Sequence, residues 1–542
     1  MSDGIVAPDF DAVVVGAGFA GIYALHRLRR DGFSARVYES ASGVGGTWFH
    51  NRYPGCRCDV SSVEYSYSFS PELEQEWAWT ERYPSQAYLV EYLNHVVDRF
   101  GLRDGIQLET RVTAASFDDE TGLWAIETDR GDRVTARFLV TAVGCLSAAN
   151  RPAFPGLDDF EGLVLHTGEW PEEEVDLRGK RVGVVGTGSS GVQVIPVVAE
   201  QAEHLYVFQR TAGYVVPARN HPYTDEYLRD IKSRYREFRQ MLRGTLLGFD
   251  NEQRMQPALE ATPEERRAEY QRRWDIGGPY LLGAYGDLIL DLEANRTCSD
   301  FVREKIDEIV DDPAVAEKLK PKFPIGAKRL VQGTDYYETY NRDNVTLVDV
   351  AESPIEQITP TGLRTADAEY ELDVLILATG YDAVTGSILR IDVRGSGGRS
   401  LRELWADGPH TYLGVAVHGF PNMFTITGPA SPSVTTNLAL SIEQHVDWIA
   451  DCLVHMRENG LERVEPTAEA QDAWGEEVAA IAEGTVFRYA DSWYYGANIP
   501  GKPRVFLAYL GGFPTYQARI DEIAAHGYEG FVLEPGRQAA PV

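Results

Sequence analysis

Two stretches of the chain repeat one pattern, in which a short apolar run is followed by a glycine-rich turn and then by apolar residues at helical spacing. In the first stretch the apolar run is Ala12–Val15, and the helical spacing covers Ile22–Leu28. A second apolar run, Ala35–Tyr38, follows. Short apolar runs bounded by turn residues indicate buried strands, and a helical period indicates an amphipathic helix. The pattern therefore predicts a strand–helix–strand unit over residues 11–39.

Three glycines of this unit, Gly16, Gly18 and Gly21, stand in Gly-x-Gly-x-x-Gly spacing at the predicted turn. The first permits the tight turn, the second lets backbone approach a pyrophosphate, and the third lets the helix pack on the strand. Glu39 ends the second strand, where a carboxylate accepts hydrogen bonds from ribose hydroxyls. Strand, helix and acid in this order predict a dinucleotide site of the FAD type.

The second stretch repeats the pattern with a change of charge at its end. Arg181–Val185 predicts a strand, Leu205–Phe208 predicts the next one, and the glycines between them are Gly186, Gly188 and Gly191. Where the first unit ends on an acid, this one leads into Arg210. A cation at that position suits a 2′-phosphate, whereas an acid favours the free hydroxyl of NAD. The second site is therefore predicted to bind NADP.

The remaining pattern predicts an α/β fold with two dinucleotide-binding, Rossmann-like units and further elements around them. An amphipathic helix is predicted over 84–101, an antiparallel meander over 106–143 and a long helix over about 438–456. Charged helical segments over about 217–325 predict a mostly helical insertion. Short strands return over 344–380 and end at an Ala-Thr-Gly turn.

Composition narrows the possible partners. Of the 542 residues, 51 are Lys or Arg and 82 are Asp or Glu, which gives a net charge of -31. This balance argues against nucleic acid or an anionic membrane as the main partner. No signal peptide and no apolar run long enough to span a bilayer is recognisable. The five cysteines lack paired spacing, so we expect no metal site, buried thiols and a cytoplasmic location.

Local sequence alone gives modest expectations for three further sites. Asp59 ends an irregular loop over 42–59 and would more often cap a helix or face solvent than act in catalysis. Lys328 and Arg329 form a dipeptide in a loop flanked by Pro and Gly, which is typical of surface. The stretch 160–171 has neither a clean helical nor a clean strand period. It is predicted to be an irregular linker between the two units.

That linker carries the motif that identifies a family. Its characteristic residues are Phe160, Gly162, His166 and Trp170, followed by Pro171. Enclosed by two Gly-x-Gly-x-x-Gly units, they resemble the signature of the type I Baeyer–Villiger monooxygenases. GGTW, NRYPG, TGSSG, ATG, SIEQ and GANIPGK follow in the order of that family, so the resemblance covers nearly the whole chain. Trp170 with its proline favours this branch over the related N- and S-oxygenating flavin monooxygenases.

The resemblance implies a reaction and a division of the chain. FAD would be bound by residues 1–145 and 383–542, and NADPH by 146–382, including the insertion at about 217–325. NADPH would reduce the flavin, and O2 would then form a C4a-peroxyflavin that attacks a ketone and inserts one oxygen, giving an ester or a lactone. Sulfoxidation is a further implied activity. A small-molecule ketone and O2 are the expected partners, and a monomer is the expected state.

The resemblance also assigns residues. Arg329 would be the catalytic arginine and Asp59 its partner, which reverses the surface interpretation of Arg329. The residues implied in cofactor binding are Gly16, Gly18, Gly21, Glu39, Thr47, Trp48, Asp59, Gly186, Thr187, Gly188, Ser189, Ser190, Gly191, Gln193, Arg210, Thr211, Lys328, Arg329 and Trp493. Of these, Lys328, Arg210 and Thr211 would hold the 2′-phosphate. Phe160, Gly162, His166 and Trp170 would couple domain movement to cofactor handling.

The substrate pocket is implied by the loop GPASPSVTTNLALSIEQ, which is longer than in cyclohexanone monooxygenases and resembles the phenylacetone monooxygenase branch. Its expected lining residues are Cys145, Ser431, Val434, Thr435, Thr436, Asn437 and Leu438. The polarity of residues 435–437 hints at larger or oxygenated substrates. His50, Cys56 and Cys145 depart from the residues usual in the family, so the ketone (linear, cyclic, aromatic or steroidal) stays open.

Three other functions share parts of this pattern. An N- or S-oxygenating flavin monooxygenase would use the same cofactors. A pyridine-nucleotide disulfide reductase shares the doubled dinucleotide-binding plan, but Cys56 and Cys58 lack the spacing of its redox pair. A non-catalytic FAD- and NADP-binding redox sensor has the same motifs.

Overall fold

The chain forms a mixed α/β protein, as predicted, in a computed structural model that describes residues 7–535. Its strands are β1 (Phe10–Val15), β2 (Ala35–Tyr38), β3 (Ile106–Gln107), β4 (Val112–Asp118), β5 (Leu123–Thr128), β6 (Arg133–Thr141), β7 (Leu163–His166), β8 (Arg181–Val185), β9 (His204–Gln209), β10 (Val215–Pro217), β11 (Val331–Gly333), β12 (Val345–Asp349), β13 (Ile355–Thr359), β14 (Gly362–Thr365), β15 (Glu369–Glu371), β16 (Val374–Leu377), β17 (Asp392–Arg394), β18 (Met423–Thr425), β19 (Leu461–Pro466) and β20 (Phe531–Pro535). Its α-helices are α1 (Phe19–Arg30), α2 (Thr47–His50), α3 (Pro71–Glu76), α4 (Gln86–Arg99), α5 (Ser189–Gln201), α6 (Asp225–Ser233), α7 (Tyr235–Arg243), α8 (Pro263–Ile276), α9 (Leu292–Ile309), α10 (Pro313–Leu319), α11 (Leu401–Leu404), α12 (Leu438–Glu458), α13 (Ala468–Glu483) and α14 (Phe513–Ala525).

The largest sheet joins the beginning of the chain to its last third. Its strand order is β17-β4-β5-β6-β1-β2-β3, and β18 pairs with β6 outside this path. β1 lies parallel to β2 and β6, with Val14 opposite both Val37 and Val140. β4, β5 and β6 are antiparallel neighbours, which confirms the predicted meander. β17 and β18 add strands from residues 392–425, so distant segments share one sheet.

The turn between β1 and α1 requires glycine at two positions. Gly16 has a φ of +104°, a region that side chains rarely adopt. A Cβ on Gly21 would lie 1.8 Å from the Gly16 carbonyl oxygen. Only glycine therefore lets α1 pack this close to β1, which is the predicted physical role of the third glycine.

The second large sheet has the order β12-β9-β8-β16-β7, and all its neighbours are parallel. Val184 at its centre lies opposite Val207 and Ile376, and all three side chains are fully buried. Parallel sheets are covered on both faces, which explains why these strands read as continuous apolar runs. The edge strand β7 corrects one prediction. Residues 163–166 of the predicted irregular linker 160–171 pair with β16. These four residues are too few to show a strand period in the sequence.

The predicted insertion contains the helices α6 to α10, and the small parallel sheet β10-β11 flanks it. Local signals fix the helix starts. Thr262 and Glu265 form a reciprocal capping box at the start of α8, and Pro263 occupies its first turn. Tyr270 of α8 packs against Phe301 of α9, with ring centroids 5.6 Å apart. Arg267 and Arg272 of α8 are exposed, as predicted for its charges. Arg239, Glu269 and Arg273 are instead buried and form ion pairs.

The long helix α12 crosses α1 and carries much of the core beneath the first sheet. Tyr23 of α1 donates to Asp447 of α12 over 2.7 Å. Trp448 and Ile449 of α12 are almost fully buried. No helix within residues 7–535 combines the length and apolar character that a bilayer span needs.

Candidate active site

An ion pair between Arg329 and Asp59 lies where the two halves of the chain meet. The Arg329 Nε donates to Asp59 Oδ2 over 3.1 Å, and Nη2 donates to the same oxygen. Both side chains are about one third exposed, at 32%. The pair joins residues that are 270 positions apart. The two local interpretations, capping for Asp59 and plain surface for Arg329, are therefore replaced by one shared site that stays open to solvent.

Two further groups hold the guanidinium. Arg329 Nη1 donates to the carbonyl of Val434 over 3.1 Å, and the Tyr494 hydroxyl lies within hydrogen-bonding reach. The negative charge of Asp59 is the main reason why the pKa of Arg329 is raised further above its ordinary value. Tyr494 was missed by sequence reasoning, which chose the neighbouring Trp493. Trp493 stacks on Tyr494, with ring centroids 4.1 Å apart, so the two aromatics form one wall.

Lys328 and Arg210 form a second cationic site. Burial lowers the pKa of Lys328, and the nearby positive charge of Arg210 lowers it further. The Lys328 Nζ lies 5.0 Å from the centroid of the Phe323 ring, a cation–π contact. Thr211 stands beside Arg210, and its carbonyl accepts from the Thr187 hydroxyl over 3.2 Å. Two cations that repel each other can be brought together by a phosphate that binds both.

The helices that follow the two glycine turns begin with free backbone donors. Gly18 precedes α1 and Gly188 precedes α5, and neither start has a side-chain cap or an acid in its first turn. A Cβ on Gly188 would meet nothing within 4 Å. Uncapped N–H groups with open space before them fit a bound pyrophosphate. Glu39 is buried and accepts from Ala17 N over 2.7 Å, so it also fixes the first turn.

Other predicted cofactor residues connect the two halves. Gln193 of α5 accepts from the Tyr53 hydroxyl over 2.7 Å and donates to the carbonyl of Arg57 over 3.0 Å. Ser190 accepts from the Thr167 hydroxyl over 3.1 Å. Thr47 and Trp48 begin the short helix α2. Ser189 and Gly191 lie in the first turn of α5, and Gly186 lies just before it. These contacts bring the loop before Asp59 against the helix of the second glycine turn.

The motif residues of the linker are buried and structural in their contacts. A Cβ on Gly162 would lie 2.6 Å from the Phe160 ring, so glycine is needed there. His166 is 2% exposed, and its Nδ1 accepts from Gly168 N over 3.0 Å. Its Nε2 lies 3.3 Å from the hydroxyl of Thr379, which follows β16. Burial lowers the pKa of His166, so the ring is neutral near pH 7 and joins two strand ends.

The predicted pocket loop ends in a 3-10 turn before α12. Trp170 of the linker motif is buried in the core. The loop's polar side chains bond within the protein. The single Thr435 hydroxyl proton lies within reach of two carbonyls, Pro432 at 2.6 Å and Tyr509 at 3.0 Å, and Thr436 Oγ1 shares a 2.7 Å hydrogen bond with Ser441. These bonds explain the polarity of the loop, which therefore gives no support to an oxygenated substrate. Ser431 and Asn437 are fully buried. Val434 is also buried, and Leu438 is partly exposed.

Of the three departures from family residues, Cys145 lies beside the pocket loop, whereas His50 and Cys56 lie within residues 42–59. Cys145 is buried with its thiol beside the Ser433 hydroxyl, and burial raises its pKa. Burial raises the pKa of Cys56 to about 12 and lowers the pKa of His50. All five cysteines are buried and unpaired, as expected. Across residues 7–535 no group of His, Cys, Asp or Glu side chains is arranged to hold a metal ion.

Comparison with known proteins fits this geometry. Residues 11–262 match the flavin-binding monooxygenase-like family. A Baeyer–Villiger monooxygenase from Pseudooceanicola batsensis is 47% identical, over 98% of this chain and 97% of that protein. The chain belongs to the Baeyer–Villiger monooxygenase family. The predicted resemblance, and with it a flavin-dependent monooxygenase, is confirmed.

Two further proteins are similar to this chain over nearly their whole length. A solved structure of an oxidised steroid monooxygenase bound to NADP superposes with a TM-score of 0.93, at 52% identity, covering 97% of this chain and 100% of that one. A phenazine N-monooxygenase from Lysobacter antibioticus is 43% identical, over 97% of each chain. The narrower resemblance to the phenylacetone monooxygenase branch stays a prediction.

Proposed function

We propose that this chain converts a ketone to an ester or lactone with FAD, NADPH and O2, and that Arg329 and Asp59 form its oxygen-insertion site. The observation that carries the proposal is the Arg329 guanidinium, held by Asp59 and by the Val434 carbonyl of the pocket loop. A permanent cation at an accessible site suits a reaction in which negative charge develops on oxygen.

The sheet pairing supports the proposed division into domains. We assign residues 1–145 and 383–542 to a Rossmann-like FAD domain, because β17 and β18 pair with β4 and β6. Residues 146–382 would form the NADPH domain around β7 to β9, β12 and β16, with the helical insertion at about 217–325. The monomeric state and cytoplasmic location are parts of the same proposal.

The residues present fit both cofactors. The uncapped starts of α1 and α5 would hold the two pyrophosphates, with Glu39 at the FAD ribose and Arg210, Thr211 and Lys328 at the NADPH 2′-phosphate. When bound, the flavin supplies hydride acceptance from NADPH and the activation of O2. Trp493 and Tyr494 would cover the nicotinamide side of the site and exclude water.

Arg329 and Asp59 divide the work at the reacting carbonyl. Arg329 would donate to the ketone oxygen as that oxygen becomes negative. Asp59 and the Val434 carbonyl would together fix the guanidinium plane, since Asp59 accepts from Nε and Nη2 and Val434 accepts from Nη1. A preorganised donor of this kind lowers the barrier by about 3–4 kcal/mol. Its loss should therefore reduce the turnover number by roughly 10²–10³-fold.

The test compares Arg329→Ala with Arg463→Ala. Arg463 is similarly covered, at 28% exposure, but its carboxylate partners are Glu465 and Glu534 of β19 and β20 and Asp119 of the turn after β4. We expect Arg329→Ala to bind FAD and lose ester formation, and Arg463→Ala to keep it. Ester formation by Arg329→Ala at the wild-type rate would remove Arg329 from the mechanism.

A second candidate function, N-oxygenation, is favoured by the phenazine N-monooxygenase relative. Both oxygenations need the same cofactor sites, so the sites do not discriminate between them. A competition experiment discriminates between them: a ketone and an N-heterocycle are offered at equal concentration, and the amounts of ester and N-oxide are measured. Ester as the main product supports the proposal, and N-oxide as the main product reverses it.

A further inference from the structure

Arg239 is a buried cation of the helical insertion that reaches into the first half of the chain. Its side chain lies in α7 and is 10% exposed. Nε donates to Glu74 Oε1 over 2.8 Å, Nη1 donates to the Glu64 carbonyl over 3.1 Å, and Nη2 donates to the Ser66 hydroxyl over 2.7 Å. One guanidinium therefore holds the Glu64 backbone and the Ser66 side chain, which lie shortly after Asp59.

The Glu64 carbonyl has a second donor. Asn437 Nδ2 donates to it over 3.0 Å, so Arg239 and Asn437 share one acceptor. Asn437 is fully buried and caps α12 at the end of the pocket loop. Its own N–H donates to the carbonyl of Leu247, in the insertion loop after α7, over 2.8 Å. The insertion thus holds Asn437 directly through Leu247 and indirectly through Arg239.

The pocket loop is consequently held at two points. The Val434 carbonyl accepts from Arg329 over 3.1 Å near the middle of residues 431–438, and Asn437 near their end is held by the insertion. The insertion loop is close enough that a Cβ on Gly248 would lie 2.9 Å from Leu440 and 3.4 Å from Asn437. A displacement of Asn437 would be carried along the short 3-10 turn to the carbonyl that Arg329 binds.

We infer that Arg239 is a positioning residue for the ketone site, acting through Glu64 and Asn437 on the loop that holds Arg329. The inference rests on the proposed function, because it takes residues 431–438 as the pocket. The helical insertion then sets the geometry of oxygen insertion from outside the site. Arg239 itself touches neither the cofactor positions nor the pocket.

The guanidinium is required because it donates in three directions within one plane. A lysine ammonium could keep the ion pair with Glu74, but a single nitrogen cannot reach Glu64 and Ser66 as well. Removing Arg239 alone would leave Glu74 buried without its charge partner, at 8% exposure. The informative variant therefore removes both charges, as Arg239→Met/Glu74→Leu.

The matched control is Arg273→Met/Glu269→Leu. Arg273 is a second buried arginine of the insertion, at 1% exposure, and Nε donates to Glu269 Oε1 over 2.6 Å. Its other contacts, the carbonyls of Tyr280 and Glu252, also lie within the insertion. This control removes a buried ion pair of the insertion without touching residues 64–66, and it also releases Arg254 and Arg272 from Glu269.

Two measurements on FAD-loaded protein decide the question. The first is hydrogen exchange at the Thr436 and Asn437 amides, whose acceptors are Ser433 and Leu247. The second is the ester formed per NADPH consumed, with the ketone KM and the rate of flavin reduction measured separately. We expect the Arg239 variant to exchange faster at both amides, to raise KM about tenfold and to release more peroxide. Flavin reduction should stay within about twofold of wild type in both variants.

The outcomes separate cleanly. Equal exchange and equal coupling in the two double variants would overturn the inference. If the Arg239 double variant does not retain FAD, Arg239→Lys decides in its place, and wild-type exchange at Asn437 in that variant would be contrary to the inference. If wild-type protein oxygenates no ketone, the proposed function fails, while the exchange comparison still reports whether Arg239 positions the loop.

Discussion

Glu64 should make the stability of the protein depend on pH, and Glu64→Gln should remove that dependence. The side chain is 4% exposed, and its Oε1 accepts from Asp250 N over 3.3 Å. Burial raises its pKa from 4.5 to about 7, and the charge of Asp250 adds to the increase. The N–H of Asp250 and the charge of Arg239 act in the opposite direction. The tyrosines around it, Tyr83, Tyr227 and Tyr280, stay neutral in this range because burial raises their pKa.

The direction follows from proton affinity. The folded protein holds the Glu64 proton more tightly than the unfolded chain does. This favours folding fully below about pH 4.5, and the benefit is lost as the pH rises through about 7. A tenfold change in proton affinity is worth about 1.4 kcal/mol, so an increase from 4.5 to about 7 corresponds to roughly 3 kcal/mol. Glutamine keeps an oxygen for Asp250 N and has no proton to lose.

The assay is the thermal midpoint Tm of both proteins between about pH 5 and pH 8.5. A chain of this size need not unfold in one step, so the difference in Tm between the two proteins at each pH is the useful quantity. We expect Glu64→Gln to gain several degrees over wild type as the pH rises across this range. Glu264→Gln, which changes an exposed residue of α8, should show no such trend. A difference in Tm that is constant with pH would refute the account of Glu64.

Three further predictions concern cofactors and coupling. Arg210→Ala should lower the preference for NADPH over NADH by roughly ten- to a hundredfold, because a charge-assisted bond to phosphate is lost. The preference is measured as the ratio of the two kcat/KM values, and an unchanged ratio would exclude Arg210 from the phosphate site. Asp59→Asn should reduce ester formation by about 10²-fold while leaving Arg329 in place, because the guanidinium loses its orienting charge. Wild-type turnover in this variant would contradict the orienting role of Asp59. His166→Ala should lower NADPH-dependent turnover and the yield of ester per NADPH, since His166 joins β7 to the end of β16. The ratio of regioisomeric esters should stay unchanged. An altered ratio with a normal ester yield per NADPH would place His166 at the reacting carbon.

The sequence predicted the two dinucleotide-binding turns well because their physics is local. Gly16 needs its positive φ and Gly21 needs to lack a Cβ, and both constraints are fixed by neighbouring residues. The strand β7 was missed for the opposite reason. It has only four residues, lies at a sheet edge, and is defined by its partner β16 rather than by its own period.

The candidate site was less accessible from local sequence. Asp59 and Arg329 lie 270 positions apart, so no spacing rule connects them, and only the family resemblance paired them. Tyr494 was missed because its neighbour Trp493 is the more conspicuous aromatic, and only the fold decides which of the two faces Arg329. The polarity of Thr435 and Thr436 misled, because composition does not reveal that both hydroxyls bond to the loop and its surroundings.

The central claim, transfer of one oxygen atom from O2 to a ketone, is tested most directly by isotope labelling. Purified protein with FAD and NADPH is given a panel of linear, cyclic, aromatic and steroidal ketones under ¹⁸O2, and the products are analysed by mass spectrometry. We expect an ester or lactone that contains one ¹⁸O atom and forms in proportion to NADPH consumed. NADPH consumption that yields only peroxide, with no labelled ester from any ketone, would contradict the account.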